Sequence, residues 1–139
     1  IGDGALYEPI RELIKEKKLE QTIALPGYMT NPYKALTSAK ACLMASRYEG
    51  TPMSVLEAMA LGVPVVSTPV DGIADVVESG VTGYLEETDE KLAERLQELL
   101  TDPIRQKQMS EASKRRFEQI CDLKQYRETL EQVYQENTI

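Results

Sequence analysis

The chain has 139 residues, the size of one ordinary domain, and its 42% hydrophobic content is enough for a real core. Its net charge of −7 argues against nucleic acid as a partner, and the lack of histidine removes a histidine general base and most transition-metal sites from this chain. No apolar run approaches the roughly 18 residues of a membrane-spanning helix, no signal peptide is expected from the opening residues, and Cys42 and Cys121 lack zinc-ligand spacing.

The start is abrupt. "IGDGALYEPI" begins with Ile1 as the end of a strand running into a Gly turn, which points to an N-terminally truncated chain. Leu6, Ile10, Leu13 and Ile14 then recur at helical spacing, predicting an amphipathic helix over about residues 5–18. "TIALPG" reads as a short strand ended by Pro26 and Gly27. "NPYKALTSAK" opens with an Asn cap and a Pro in the first turn of a helix. "ACLMAS" is a strand, with Cys42 as a small buried hydrophobe. A helix over 51–61 follows, closed by Gly62. "VPVVST" is a strand with Pro64 near its start. "GIADVVESG" reads as a short helix and "TGYL" as a short strand.

Beyond Leu85 the strands stop. Leu92, Leu96, Leu99 and Leu100 mark one amphipathic helix. Asp102-Pro103 caps the next, which carries Ile104, Met109, Ala112 and Phe117. A last helix, from about Asp122, puts Leu123, Tyr126, Leu130, Val133 and Tyr134 on one face. Alternating helix and strand predicts an α/β fold, a doubly wound parallel sheet with added C-terminal helices. Its strands are short and apolar, as strands covered on both sides should be.

Glu57 stands out in this pattern. At 100° per residue, Val55, Met59, Leu56, Ala60 and Met53 cover one broad side of the helix over 51–61, and Leu61 and Ala58 the other. Ser54 is the polar neighbour of Glu57. A helix apolar nearly all round should be buried, and an unpartnered buried carboxylate is expensive. Either an Arg, a Lys or backbone amides satisfy Glu57, or it faces a crevice and accepts hydrogen bonds from a ligand. A ribose diol is such a ligand group.

Position bears on the choice. Ligands of doubly wound sheets bind at the C-terminal ends of strands, against helix N-termini. The first-turn amides, from about Met53 to Val55, can hold an anion such as a phosphate. Glu57 sits about 8 Å along the axis from the helix start, roughly the reach from a diphosphate to its ribose. Glu49 lies in the preceding loop, near whatever the diphosphate carries.

Glu49 and Glu57 are separated by seven intervening residues, and "SRYEGTPMSVLEAMALGVPVVST" resembles the E-x7-E signature of glycosyltransferase family 4. These are retaining enzymes of the two-domain GT-B type. The resemblance extends over nearly the whole chain, through "IGDGALYEPIRELIKEKKL", "IALPGY", "NPYKALTSAKACLMAS" and "STPVDGIADVVESGVTGYL". It implies a Rossmann-like C-terminal half of a GT-B fold over residues 1–139, which binds a UDP- or GDP-sugar donor. The first strand and helix of that half, and the acceptor domain, would precede Ile1.

The roles implied by the resemblance can be given position by position. Glu57 holds the donor ribose. Glu49, the catalytic candidate, contacts the sugar hydroxyls, with loop amides near Gly50 and Thr51. Amides of Met53, Ser54 and Val55 hold the diphosphate. The base lies near Gly27 to Met29, including Tyr28, and Gly2 and Gly4 turn the backbone tightly at the crevice, although a plain strand-to-helix turn would need them equally. No metal or other cofactor is expected. The acceptor is a glycan or lipid-linked molecule bound through the N-terminal domain, and the protein is expected in the cytoplasm, with a peripheral membrane contact where the acceptor is a lipid.

The chain also departs from the family pattern. Pro52, which has no N–H, stands where Gly is frequent, and it can serve simply to rigidify the helix start. Asp71 and Ala74 stand where many members have Gly and Pro, and Asp75 where Glu is common; Asp75 is read as a first-turn residue at a helix N-terminus. Arg47 receives no phosphate role and reads as a solvent or salt-bridge residue. Lys114, Arg115 and Arg116 read as a solvated helix face or as a lipid-headgroup patch. Two other functions are left open: a sugar-nucleotide epimerase of the same architecture, and a non-catalytic nucleotide-sugar-binding module.

Overall fold

The computed structural model describes residues 2–50 and 52–136, with the side chains of Leu130 and residues 133–136 left out. Ile1 and Thr51 therefore lie outside the described residues, and so do the expected strand end at Ile1 and the side chains by which Leu130, Val133 and Tyr134 would share one helix face. The chain divides into two compact units, Ile1–Ala35 and Leu36–Ile139.

In the first unit, helix α1 spans Tyr7–Glu16. It stops short of the expected Lys18 because Lys18 adopts a left-handed φ of 56°. The Leu19 amide then donates to Ile14 O at 2.9 Å and the Lys18 amide to Lys15 O at 3.0 Å, which closes the helix as a Schellman turn. The expected strand "TIALPG" does not form: residues 23–29 carry no regular structure. Pro26 has no amide to donate, and Gly27 turns the chain at φ 73°. The segment is held by the Tyr7 hydroxyl, which donates to Leu25 O at 3.0 Å, and by the Gly2 amide, which donates to Gly27 O at 2.9 Å. A four-residue helix, α2 at Tyr33–Leu36, leads into the second unit.

The second unit is built on a three-stranded parallel sheet of order β1-β2-β3. Its strands are β1 at Cys42–Met44, β2 at Val65–Ser67 and β3 at Gly83–Leu85. Cys42 pairs with Val65, and Val65 with Gly83. Side chains alternate along a strand, so Val65 and Val66 point to opposite sheet faces. Val65 joins a core with Val55, Ala58 and Met59 of helix α3 (Met53–Ala60), together with Val63, Ile73 and Val77. Val66 joins a second core with Tyr84, Leu92, Leu99 and Met109. The last three come from helices α4 (Asp89–Thr101) and α5 (Pro103–Ile120). Both faces of the central strand are thus covered, which is why all three of its residues are buried.

Gly83 is required by this packing. A Cβ there would penetrate the carbonyl oxygen of Val65, a backbone atom that cannot move without breaking the ladder. Downstream, Asp102 caps α5 as expected, accepting from the Ile104 and Arg105 amides at 3.0 and 2.9 Å. Asp122 does the same for helix α6 (Leu123–Glu136), accepting from Lys124 and Gln125. Leu123 and Tyr126, on the apolar face of α6, are exposed.

The expected short helix in "GIADVVESG" is absent. Residues 71–76 form successive turns in which amides 73 and 74 donate to Val70 O, and 76 and 77 to Ile73 O. Gly72, at φ 76°, interrupts helical propagation at its start. Asp75 is therefore a turn residue, not the first turn of a helix.

Candidate functional site

The loops that follow β1 and β2 leave the sheet side by side, at its C-terminal edge. Three hydrogen bonds fasten them. Ser67 Oγ donates to Met44 O at 2.8 Å, the Thr68 amide to the same carbonyl at 3.2 Å, and Thr68 Oγ1 to Ser46 O at 2.6 Å. Between the loops lies an open hollow of about 200 Å³, lined by Arg47, Tyr48, Glu49, Pro69, Val70 and Asp71. Within it Glu49 is half-buried and oriented, because Ser46 Oγ donates to its Oε1 at 2.7 Å.

Helix α3 starts just beyond the first loop. Pro52 is its N-cap, with no side-chain cap. The Val55 and Leu56 amides both donate to Pro52 O, at 3.0 and 3.3 Å. Val55 is therefore committed inside the helix and is a poorer phosphate donor than expected. The Met53 and Ser54 amides have no acceptor among the described residues. Ser54 Oγ points toward Met44 Sδ at 3.9 Å.

The expectation that Glu57 is buried is corrected. Only the face carrying Val55, Ala58 and Met59 is fully buried. Met53, Ser54 and Ala60 are exposed, and Glu57 lies among them, half-buried. The carboxylate thus sits on the open side of α3, where water or a ligand can reach it, and no unpartnered buried charge arises. It also makes an interaction within the protein.

Glu49 therefore shares its hollow with Arg47 and Asp71, not with α3 residues. Gly50 is exposed, and a Cβ there would meet nothing within 4 Å. Thr51 lies outside the described residues. Gly2, Gly4, Tyr28 and Met29 belong to the first unit, where Gly2 and Gly4 line an apolar hollow with Leu6, Tyr7, Ile10 and Leu25. Gly2 uses a positive φ of 148°, but Gly4 does not and has open space around it, so no tight turn demands glycine at residue 4. Tyr28 is exposed and Met29 half-buried.

One polar cluster was not visible in the sequence. The Tyr84 hydroxyl donates to Glu98 and accepts from Arg105 Nε at 3.1 Å. Arg95 bridges Glu86 at 2.7 Å and Glu98 at 3.1 Å, and its guanidinium lies 4.9 Å from the Tyr84 ring centre. The hydrogen bond from Tyr84 comes first, ahead of the two arginines, in holding the Glu98 carboxyl below the usual range. Burial, then the bond to Glu98, raises the Tyr84 phenol. These groups lock β3 to α4 and α5. The Arg95–Glu98 spacing of i, i+3 was readable; the convergence on Tyr84 was not. The basic triplet does not form one face: Arg116 donates to Asp75 O at 3.4 Å, while Lys114 and Arg115 stay exposed.

A family profile described as "Glycosyl transferases group 1" matches residues 1–116. The chain belongs to this family. Among curated relatives of the group 1 chain, poly(ribitol-phosphate) alpha-N-acetylglucosaminyltransferase of Staphylococcus aureus (strain COL) is 33% identical over 106 residues, covering 74% of this chain and 22% of the relative. N-acetyl-alpha-D-glucosaminyl L-malate synthase of Bacillus anthracis is 33% identical over 116 residues, covering 82% of this chain and 30% of the relative. Among solved structures, a mutant of S. aureus TarM in complex with Fondaparinux, alpha-GlcNAc-glycerol and UDP superposes with a TM-score of 0.81 at 29% identity. That match covers 85% of this chain and 24% of TarM. Sucrose-phosphate synthase from Thermosynechococcus elongatus gives a TM-score of 0.84 at 26% identity, covering 97% and 36%.

This group 1 chain thus spans between about a fifth and a third of the two curated relatives' length. Its parallel sheet with helices on both faces is the α/β fold of GT-B glycosyltransferases. The epimerase alternative gains no support from these relatives, which carry transferase and synthase names. Among the described residues no helix is long and apolar enough to cross a membrane.

Proposed function

We propose that this chain is the donor-binding part of a retaining glycosyltransferase of the family 4 kind, which moves a hexosyl group from a UDP- or GDP-sugar to a glycan or lipid-linked acceptor. The observation that carries the reading is Glu49, held by Ser46 in an open hollow at the C-terminal ends of β1 and β2, just before the uncapped N-terminus of α3. Relatives named as glycosyltransferases support it.

Each group then has a task. The Met53 and Ser54 amides, at the positive end of α3, receive the diphosphate. Glu57, on the open side of α3, accepts from the ribose hydroxyls. Glu49 accepts from the sugar hydroxyls. When the bond between the anomeric carbon and the diphosphate oxygen breaks, its electrons leave with the diphosphate. The acceptor hydroxyl oxygen then bonds to the anomeric carbon on the same face of the ring, and its proton passes to the departing diphosphate oxygen. Fixed donors aimed at the growing negative charge lower that barrier, and a positioned sugar lowers it further. The base is assigned to the neighbourhood of Tyr28 and Met29, and the acceptor to a further domain. No metal is assigned, and the site of action is taken to be the cytoplasm, at a membrane surface where the acceptor is a lipid.

The test is calorimetric titration of the protein containing this chain with UDP, GDP and their sugar conjugates, followed by transfer assays with NMR readout of the anomeric configuration. Binding of a nucleoside diphosphate and product of retained configuration are expected. Failure of every nucleotide to bind, or product of inverted configuration, overturns the reading. The isolated 139-residue chain is expected to bind the diphosphate weakly and to transfer nothing; sugar transfer by it alone would show that no further domain is needed.

A further inference from the structure

The hollow holds two charges for which the roles above have no use. Arg47 and Asp71 line it together with Glu49, one from each loop. Both side chains are exposed, and among the described residues neither makes an ion pair or a side-chain hydrogen bond. Two other arginines differ: Arg95 reaches Glu86 and Glu98, and Arg105 reaches Glu98 at 3.7 Å. A guanidinium and a carboxylate that border one hollow without meeting are both available to whatever fills it. The bond from Thr68 Oγ1 to Ser46 O fixes the distance between their loops.

The chemistry of the lining is selective. Two ionised carboxylates, Glu49 and Asp71, can only accept hydrogen bonds, and one guanidinium, Arg47, can only donate. The sum is one net negative charge. A neutral ring bearing several hydroxyls satisfies all three groups, since each hydroxyl both donates and accepts. A ring bearing its own carboxylate satisfies Arg47 but faces two like charges.

On the reading of this hollow as the donor-sugar site, we infer that Asp71 selects a neutral, hydroxyl-rich hexose over a uronic acid, and that Arg47 binds the sugar while moderating that selection. Asp71 accepts from a sugar hydroxyl beside the one held by Glu49 and repels a sugar carboxylate. Arg47 donates to a sugar oxygen and offsets part of the negative charge.

The experiment measures affinities of the protein containing this chain, its Asp71→Asn and its Arg47→Gln variants. The ligands are UDP, GDP, UDP-glucose, UDP-glucuronate, GDP-mannose and GDP-mannuronate. Solvent competes at exposed groups, so about tenfold weaker binding of the neutral sugar nucleotide is expected for Asp71→Asn, with the bare diphosphate unchanged. The two variants should move discrimination in opposite directions. Asp71→Asn should narrow the preference for the neutral sugar over the uronate, and Arg47→Gln should widen it. General misfolding cannot produce such opposed shifts. Variants that bind both sugar classes as the parent does overturn the inference while leaving the donor site standing. A parent that binds no nucleotide overturns the donor-site reading and this inference with it.

Discussion

Ser46 Oγ lies 2.7 Å from Glu49 Oε1 and donates a hydrogen bond to it. This bond occupies one lone pair of the carboxylate and leaves the others turned to the hollow. A hydrogen bond to a charged group is worth about 1.5–3 kcal/mol in a buried setting and less where water competes. Ser46→Ala should therefore weaken binding of the sugar nucleotide about three- to tenfold through loss of orientation. Glu49→Gln should weaken it more, and in both variants the bare nucleoside diphosphate should bind as before. Parallel titrations with diphosphate and sugar nucleotide check this; equal losses for both ligands would place Glu49 outside the sugar contact.

Glu57 gives a second prediction. Glu57→Gln keeps the shape and removes the charge-assisted bonds to a ribose, so donor affinity should fall by about one to two orders of magnitude. Because the side chain sits on the open side of α3, the thermal midpoint should move little. Glu57 also has a partner within the protein, so the melt is decisive. Normal nucleotide binding with a much lower midpoint would make Glu57 a structural residue.

Acid should loosen the β3–α4–α5 junction. The Glu98 carboxyl is lowered first by the hydrogen bond from Tyr84 and then by Arg95 and Arg105. A carboxyl lowered in the folded state contributes stability that is fully present above its ordinary value of 4.5 and is lost as pH falls through the folded value. At the other limit, the raised Tyr84 phenol contributes stability that is lost as pH climbs above its ordinary value of 10.0. Denaturant melts across pH should show Glu98→Gln flattening the acid limb; an unchanged limb would mean that Glu98 is not responsible.

Gly83→Ala should be among the most damaging single substitutions. The added methyl enters the space of Val65 O, and relief requires β2 and β3 to separate. Overpacking of this kind costs about 1–3 kcal/mol, more where backbone must move. Urea unfolding measures it. A near-neutral result would show that the strands can shift freely.

Transfer by the protein containing this chain should persist in EDTA. Among the described residues no three His, Cys, Asp or Glu side chains cluster as metal ligands. Loss of transfer on chelation, restored by magnesium, would assign the leaving-group charge to a metal.

Much of the fold was legible because its signals are local. Asp102 and Asp122 are side-chain caps whose chemistry acts within three residues; Asp102 caps as expected, and Asp122 starts the last helix where expected. Val65 and Val66 announced a strand covered on both sides. Illegible features depend on partners distant in sequence. "TIALPG" has strand composition, but a strand exists only through a ladder, and Pro26 and Gly27 turn the chain away from one. "GIADVVESG" has helical spacing, but Gly72 and the packing of Ile73 and Val77 into the core favour separate turns. Glu57 was misplaced for a related reason: the wheel shows which residues are apolar, not which face the sheet covers. Met53 and Ala60, apolar but exposed, were indistinguishable on the wheel from Val55 and Met59. The E-x7-E spacing singled out both glutamates, of which Glu49 lines the hollow and Glu57 does not, while the approach of Asp71 to Glu49 required the two loops to be brought side by side by the sheet.

That approach is fixed by the hydrogen bond from Thr68 Oγ1 to Ser46 O. The two loops are tied to each other at their roots. A molecule entering between them meets Glu49 already oriented by Ser46 and two loops already joined. Part of the ordering cost that flexible binding loops incur on capture is met during folding. Cutting the tether with Thr68→Val should therefore show itself less in the contacts made by any one residue than in the entropy of association.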